Sequence, residues 1–568
     1  MAHSPPGIGG TSVDMKKASL LQDAWARLLG PSAPGNTRTP KAALSQPQAI
    51  DCVPALIAAL GICGVLGGIS LVFPPFIQWD SGFGFLAWRG TLLGALNCII
   101  SPDRANIARD AVWFLTHWSP GQYLVPGAIS LLGVPLGVAM TLTVALSLLA
   151  CLIGWVMVVR AFVPRTSLAL LVTVLIGSFY YSTHAFNTYH GGEILLQAVT
   201  PWLVLTAYRV PEMDAVPAGL LAAVAVLFAF LAKLTGLIVV AAALVAGSMV
   251  SLAFGRRITK GMIGGALGAV GVFAILYVAF ISATDAAPTG WSLPFKSIVF
   301  ASLAPWVVGN SLSELITYIF FPTRSMSYLP TAFLVFLVPP AIMVAGLVLF
   351  WRPQTTDEKK FRLFCLWFYG VVAAVFILLF IHGALIDLDE RHFRSVGTLL
   401  FVCALMSALA AGTPRWARHL FLVLCALMAL YGVASFSYHE LTTAKGQSLD
   451  RASWTNQRMF DAAAIDFARE VYAREGRDAL FVLPLFGMAQ MAVTLPVHAR
   501  ILVMNFDLEP ESEFVGRYSG RVPGHVVVLV PNSIFDTSKG RALLSAFTDY
   551  APDAWNRKTF ANTSVYFQ

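Results

Sequence analysis

Long apolar segments alternate with short polar turns along most of this chain. A helix needs roughly 20 mostly apolar residues to cross the hydrocarbon core of a bilayer. By that measure the pattern predicts about eleven transmembrane helices, near residues 51–73, 134–160, 166–183, 193–208, 215–232, 236–254, 262–283, 330–350, 363–385, 396–412 and 419–437. We therefore expect a polytopic, all-α membrane domain over residues 49–438.

The composition supports this class of protein. Hydrophobic residues make up 57% of the chain and charged residues only 12%, whereas soluble domains carry about 25% charged residues. The net charge of +8 comes mostly from turns between apolar segments, so we expect membrane lipid or phosphate-bearing partners and no nucleic acid.

The basic turns also predict the orientation in the membrane. Residues 1–48 are polar and rich in Pro, Gly and Ser, and we interpret them as a disordered cytoplasmic tail. With this tail inside, the Lys and Arg residues of the short turns all fall on the cytoplasmic side, as expected for a membrane protein. The C-terminus is then extracytoplasmic, and we expect a bacterial inner (plasma) membrane location.

This topology leaves three long segments outside, at 74–133, 284–329 and 439–568. In the last one, "FDAAAIDFAREVYARE" has helical spacing, while "DALFVLPLF", "ARILVMNFD" and "HVVVLVPNS" are typical of buried strands. We expect a small extracytoplasmic α/β domain over 439–568. It has no Gly-rich phosphate loop, nucleophile elbow or metal-ligand spacing, so we assign it no chemistry.

Two carboxylates at the outer ends of spans are candidate catalytic residues. Asp80 follows the first span in "FIQWDSGFGFLAWR", and partial desolvation there would raise its basicity, which suits a general base. An Asp that caps a helix or a turn is an equally plausible alternative. Glu193 opens another span on the same side, and ionisable groups at such positions usually face the bundle or a cavity.

Five further residues on this side are candidate substrate-binding groups. Lys233, in "FLAKLTGL", could hold an anion or could be a snorkelling lysine. Arg391 and Arg394 could bind phosphate or pair with the neighbouring acidic residues 387, 389 and 390. Asp110 lies in the first outer loop, and His190 could equally belong to an interfacial aromatic belt. A divalent metal is possible, but no spacing singles out a metal site.

In combination these features resemble the GT-C glycosyltransferases, polytopic enzymes that include protein mannosyltransferases and aminoarabinose transferases. The matching parts, over about residues 50–568, are Asp80 after the first span, the loop "WSPGQYLVPGAISLLG", Glu193, the "KLTG" turn at Lys233 and "ERHFRSVG" around Arg391. The chain departs from the family pattern in lacking a tandem acidic pair after Trp79 and in having Ser-Pro and His392 at motif positions.

The resemblance implies transfer of a sugar from a polyprenyl-phosphate carrier to an extracytoplasmic glycan, lipid or protein, with inversion. Asp80 would act on the acceptor hydroxyl, Glu193 would orient hydroxyls, and Lys233 and Arg391 would neutralise the departing phosphate. A surface-glycan ligase or polymerase that uses the same carrier is one alternative. A multi-pass lipid or solute transporter is the other.

The predicted orientation can be tested directly. A reporter enzyme that is active only outside the cytoplasm, fused after Gln568, should be active because the C-terminus is expected there. A stably produced but silent fusion would show that the number of spans is wrong by one.

Overall fold

A computed structural model of the chain describes residues 52–103, 106–116, 118–283, 293–307, 338–384, 390–446, 449–450, 453–456, 459–506, 515–519, 524–535 and 542–568. The predicted cytoplasmic tail and most of the loop 284–329 lie outside the described residues. Residues 50–568 form one compact unit.

Helices dominate the first four fifths of this unit. In chain order its elements are α1 (Val53–Val72), β1 (Phe76–Ile77), α2 (Trp79–Leu92), β2 (Cys98–Asp103), β3 (Asn106–Phe114), α3 (Gly121–Ser130), α4 (Leu136–Phe162), α5 (Thr166–Ser178), α6 (Tyr180–His184), β4 (Thr188–Tyr189), α7 (Gly192–Arg209), α8 (Ala215–Ala232), α9 (Gly236–Ala253), α10 (Lys260–Ala279), α11 (Phe295–Leu303), α12 (Val338–Phe350), α13 (Thr356–Ile381), α14 (Arg394–Ala408) and α15 (Arg415–Gly446). Each of the apolar segments identified in the sequence contains a helix.

The lengths and compositions of these helices make the chain an integral membrane protein. Among the described residues, 7 helices are long and apolar enough to cross a membrane: α1, α4, α8, α9, α10, α13 and α15. The apolar helices α5, α12 and α14 are shorter. The figure of eleven crossings therefore stays a prediction.

Glycines allow two of the membrane helices to pack backbone against backbone. In α10, a Cβ atom on Gly264 would lie 2.0 Å from the carbonyl oxygen of Ala215, and one on Gly268 would lie 2.1 Å from that of Gly219, both in α8. Membrane helices often use small residues for such close approach. Lipid tails are as apolar as the side chains, so these helices associate through close van der Waals packing and not through hydrophobic burial. The "GMIGGALG" sequence thus specifies this helix pair.

The C-terminal segment contains a mixed sheet. Its elements are β5 (Leu449–Asp450), β6 (Thr455–Asn456), α16 (Ala462–Glu475), β7 (Ala479–Leu483), β8 (Arg500–Val503), β9 (His525–Pro531), α17 (Asn532–Phe535), β10 (Asn556–Thr559) and β11 (Thr563–Phe567). The 5-stranded sheet has the order β10-β11-β9-β7-β8. Strand β7 runs parallel to β8 and β9, whereas β11 is antiparallel to β9 and β10.

Helix and strands lie where the sequence pattern of this segment placed them. Successive residues of β7 alternate between two apolar cores, with Phe481 in one and Leu480 in the other, so both faces of the sheet are buried. The domain boundary expected at 438/439 falls inside α15, and the extracytoplasmic side of this domain stays a prediction.

The segment 74–133 contributes side chains to the cores of the C-terminal sheet segment, which we call the α/β domain. It contains helices α2 and α3 and the antiparallel ribbon β2–β3. Leu86 of α2 belongs to one core of the α/β domain, and Ile107 of β3 belongs to the other. A Cβ atom on Gly82 would lie 2.4 Å from the backbone nitrogen of Gln490, so α2 contacts the domain at backbone distance.

Arg89 at the last turn of α2 is the polar centre of this contact. Its side chain is buried, and its guanidinium group donates hydrogen bonds of 2.6 to 3.1 Å to backbone carbonyl oxygens of the α/β domain. The acceptors are Ala492, Leu495, Pro496, Val497 and Ala499. A buried charge is tolerated when its donors are satisfied in this way.

Replacing Arg89 should loosen this contact. In Arg89→Met the carbonyl groups lose their donor, and each buried unsatisfied group costs about 1–3 kcal/mol. We expect a lower unfolding temperature in detergent and faster tryptic release of the C-terminal domain. Arg109→Met, on the exposed part of β3, is the matched control. Equal behaviour of the two variants would contradict the role of Arg89.

Candidate functional site

A short parallel ribbon brings two distant segments together just outside the membrane helices. Residues 76–77 of β1 pair with residues 188–189 of β4. Asp80 follows β1 closely, and Glu193 follows β4 closely. The ribbon therefore holds both candidate carboxylates in the same region, although more than a hundred residues separate them in the sequence.

Asp80 lies in the first turn of α2 and does not cap that helix. The N-cap is Gln78, whose side-chain oxygen accepts a hydrogen bond of 2.7 Å from the backbone N–H of Asp80. The Asp80 carboxylate points elsewhere, and its Oδ2 accepts a hydrogen bond of 3.2 Å from Nη1 of Arg391. The alternative of a capping aspartate is thus excluded.

Glu193 lies in the first turn of α7, which begins after a tight backbone turn. Gly191 has φ +56°, and a Cβ atom there would lie 2.5 Å from Cβ of Gln122, so only glycine fits without strain. The Oε1 atom of Glu193 lies 2.7 Å from Nζ of Lys233. Lys233 itself forms the turn between α8 and α9, which is where the "KLTG" sequence falls.

Arg391 joins the two carboxylates. It lies in a short 3₁₀ turn before α14, with Nη1 3.2 Å from Asp80 and 3.8 Å from Oε1 of Glu193. We refer to Asp80, Arg391, Glu193 and Lys233 as the ion cluster. Their side chains are between 10% and 20% exposed, so the two positive and two negative charges are largely withdrawn from water and balance each other.

The pKa of Asp80 reflects this environment. Burial raises the pKa of this carboxyl above its ordinary value, and the negative charge of Glu193 raises it as well, whereas the nearby Arg391 lowers it. The net direction is upward. A carboxylate with a raised pKa is a stronger proton acceptor than an exposed aspartate, and the side chain keeps enough exposure to meet a substrate.

Two other predicted residues are close in sequence to members of the cluster. His190 lies three residues before Glu193, and its ring is 5.6 Å from that of His184, centroid to centroid. Arg394 lies three residues after Arg391, and its guanidinium carbon is 5.8 Å from the centre of the Tyr181 ring. Their substrate contacts stay predictions.

Asp110 has a different position. Its two carboxylate oxygens pair with Arg477 at 2.7 Å and Arg500 at 2.8 Å, both in the α/β domain. The structure thus places Asp110 where the ribbon β2–β3 joins that domain, and does not bring it into the ion cluster. A role in substrate binding would require these arginines to act with it.

No metal centre accompanies the ion cluster in the part of the chain that the structure describes. Within those residues, no group of three or more His, Cys, Asp or Glu side chains is arranged to hold a metal ion.

The sequence did not reveal the elements that assemble this site. Residues 76–77 and 188–189 form strands of 2 residues each, which are too short to leave a recognisable alternation. The capping role of Gln78 has no sequence signature, since N-caps are usually Ser, Thr, Asp or Asn. The glycine pair after His190 was the one available signal of a tight turn.

Comparisons with known proteins find likeness among solved structures. A scan of protein-family models finds no match, and no curated protein matches. Among solved structures, the chain is similar to the arabinofuranosyltransferase AftD from mycobacteria, with 14% identity, coverage of 89% of this chain and 40% of that chain, and a TM-score of 0.40. The chain thus spans about two fifths of that protein's length. A TM-score of this size carries no argument about fold or function.

The ion cluster predicts a specific pattern of stability changes. Arg391→Gln leaves two neighbouring carboxylates without their shared cation and should cost about 1–3 kcal/mol, between the values for exposed and buried pairs. Adding Asp80→Asn should recover part of this loss because it removes one unpaired charge. Unfolding temperatures in detergent measure both effects.

The exposed Arg257 provides the control for this series, because Arg257→Gln removes the same charge outside the cluster and should change stability little. Strictly additive effects of Asp80→Asn and Arg391→Gln would refute the shared ion pair.

Proposed function

We propose that this protein is a GT-C-type membrane glycosyltransferase that moves a sugar from a polyprenyl-phosphate carrier to an extracytoplasmic acceptor, with inversion. The observation that carries the proposal is the ion cluster. The candidate base Asp80 and the candidate phosphate-binding residues Lys233 and Arg391 come from distant parts of the sequence. With Glu193 they form a series of ion pairs in which each residue lies within 4 Å of the next. Lys233 lies between the membrane helices α8 and α9, where the headgroup of a lipid-linked sugar would lie.

In this proposal Asp80 accepts the proton of an acceptor hydroxyl. The oxygen forms a bond to the anomeric carbon while the bond from that carbon to the carrier phosphate breaks, and polyprenyl phosphate leaves. A single displacement of this kind inverts the anomeric configuration and needs no covalent enzyme intermediate. The partly buried position and raised pKa of Asp80 suit the base.

Lys233 and Arg391 supply positive charge for the departing phosphate. Both are paired with carboxylates in the unliganded cluster, so their side chains are already ordered and their charge is already placed. A phosphate that enters can accept hydrogen bonds from Lys233, since an ammonium has three donors. The ordering cost of binding is thereby reduced.

Glu193 orients the cations in this mechanism. Its Oε1 atom lies between Lys233 and Arg391 and holds both at a distance set by one carboxylate. Glu193 also contacts acceptor or sugar hydroxyls in this proposal. His190 and Arg394, which are close in sequence to Glu193 and Arg391, contact the substrate as well. The acceptor is a glycan, a lipid or a protein.

The proposal is tested by mixing purified protein with polyprenyl-phosphate sugar and an envelope extract, and measuring free carrier. Asp80→Asn should lower transfer by about 10²–10⁴-fold, the usual loss for a general base, with carrier lipid still bound. Lys233→Gln should weaken carrier binding as well as turnover, because it removes a phosphate-binding charge.

Asp214→Asn is the matched control, since Asp214 is an exposed aspartate at a predicted cytoplasmic turn, and it should transfer normally. Near-normal transfer by Asp80→Asn would reject the base. Binding of the lipid without carrier release, in the unmodified protein, would favour a transporter.

The pKa of Asp80 also predicts the pH dependence of transfer. Asp80 acts as a base only when it is ionised, so kcat/KM should fall as the pH decreases through its pKa. Because that pKa is raised, the fall should begin at a higher pH than an ordinary aspartate, near 3.9, would give. Arg391→Gln should move it higher still, because the cation that lowers the pKa is lost.

Arg391→Lys keeps the charge and should leave the midpoint of this acid limb closer to that of the unmodified protein. The measurement is kcat/KM against pH for the three proteins. If kcat/KM of Arg391→Gln falls at the same pH as that of the unmodified protein, the pH dependence does not arise from Asp80.

A further inference from the structure

The ribbon β2–β3 is polar at one end and apolar at the other. Cα pairing sets Cys98, Ile99 and Ile100 opposite Phe114, Trp113 and Val112. Farther along, Ser101 and Pro102 lie opposite Ala111 and Asp110. The apolar residues of both strands therefore lie at the same end of the ribbon.

The polar end of the ribbon is fixed to the α/β domain. Asp110 pairs there with Arg477 and Arg500, and Ile107 lies in an apolar core of that domain. A strand rises about 3.4 Å per residue, so Phe114 lies roughly 14 Å from Asp110 along the strand. Residues 112–114 therefore lie at the end of the ribbon away from Asp110, where the paired Ile99 is partly buried against apolar cores.

At the apolar end the β3 side chains are exposed, whereas residues 98–100 of β2 are partly buried. Val112 is 61% exposed, Trp113 52% and Phe114 39%, and neighbouring residues of a strand point to opposite faces. Three consecutive exposed apolar side chains, one of them tryptophan, are costly in water. They are common where a protein meets the headgroup region of a bilayer, which tryptophan prefers.

A ring contact shows which surface this end continues. The rings of Phe114 and Phe280 are 5.6 Å apart, and Phe280 follows directly after α10. Helix α10 is one of the helices able to cross a membrane, and its last turns expose Ile275 and Val278. Apolar side chains exposed on a membrane helix face lipid. The lipid-facing surface of α10 therefore reaches the level of Phe114.

We infer that the exposed apolar side chains of β3 at residues 112–114 insert into the outer leaflet and contact phospholipid. Trp113 and Val112 lie at the boundary between headgroups and acyl chains, and Phe114 links them to α10. The ribbon then connects the bilayer surface with the α/β domain at a fixed distance. This inference does not depend on the proposed reaction.

The test uses a benzophenone amino acid in place of Trp113, with the full-length protein in bilayer discs of phosphatidylethanolamine and phosphatidylglycerol. After illumination, mass spectrometry of the purified protein should detect phospholipid adducts. The matched control carries the same amino acid in place of Arg109, which is exposed on the same strand but lies next to Asp110, at the end fixed to the α/β domain. The positive control carries it in place of Val278.

Phospholipid adducts at positions 113 and 278, each several-fold above the level at 109, are the expected result. Adducts at 278 with no more at 113 than at 109 would overturn the inference. Cross-links from position 113 to another protein chain, in place of lipid, would overturn it as well and would indicate a protein partner for this surface. Gel filtration before illumination confirms that each variant is folded.

Discussion

Partly buried charges at both ends of helix α2 are the constraint on which the outer part of this protein depends. Asp80 and Arg89 are roughly 14 Å apart along the helix, at 1.5 Å per residue. Each has lost much of its water, so each requires a partner of its own. Arg391 provides one, and backbone carbonyls of the α/β domain provide the other. A rotation of α2 would break both sets of contacts together.

The parts of the fold that the sequence predicted are those in which one segment contains the whole signal. The membrane helices and the strand β9 are examples, since an apolar run of the right length suffices. Arg89 shows the opposite case. Its first acceptor, Ala492, is 403 residues away, and no local pattern distinguishes an arginine that will donate to carbonyls from one that will remain in water.

The candidate site was predictable for a related reason. Ionisable residues are rare at the ends of apolar helices, so Asp80, Glu193, Lys233 and Arg391 stood out individually. Their pairing did not, because it depends on the ribbon of residues 76–77 and 188–189. The same rule selected Asp110, but this residue pairs with arginines of the α/β domain. A carboxylate outside the membrane helices can therefore belong to an ion pair between the ribbon and the α/β domain.

The contacts of the α/β domain restrict the motion of the backbone beside the ion cluster. Gly82, two residues after Asp80, lies against the backbone of Gln490, so the domain contacts α2 immediately beside the cluster. The ribbon β2–β3 adds a second connection through Asp110. Two separate connections resist both hinge and twist motions of the domain, whereas a single one would permit rotation about it. The backbone next to Asp80 is therefore held in place by the α/β domain.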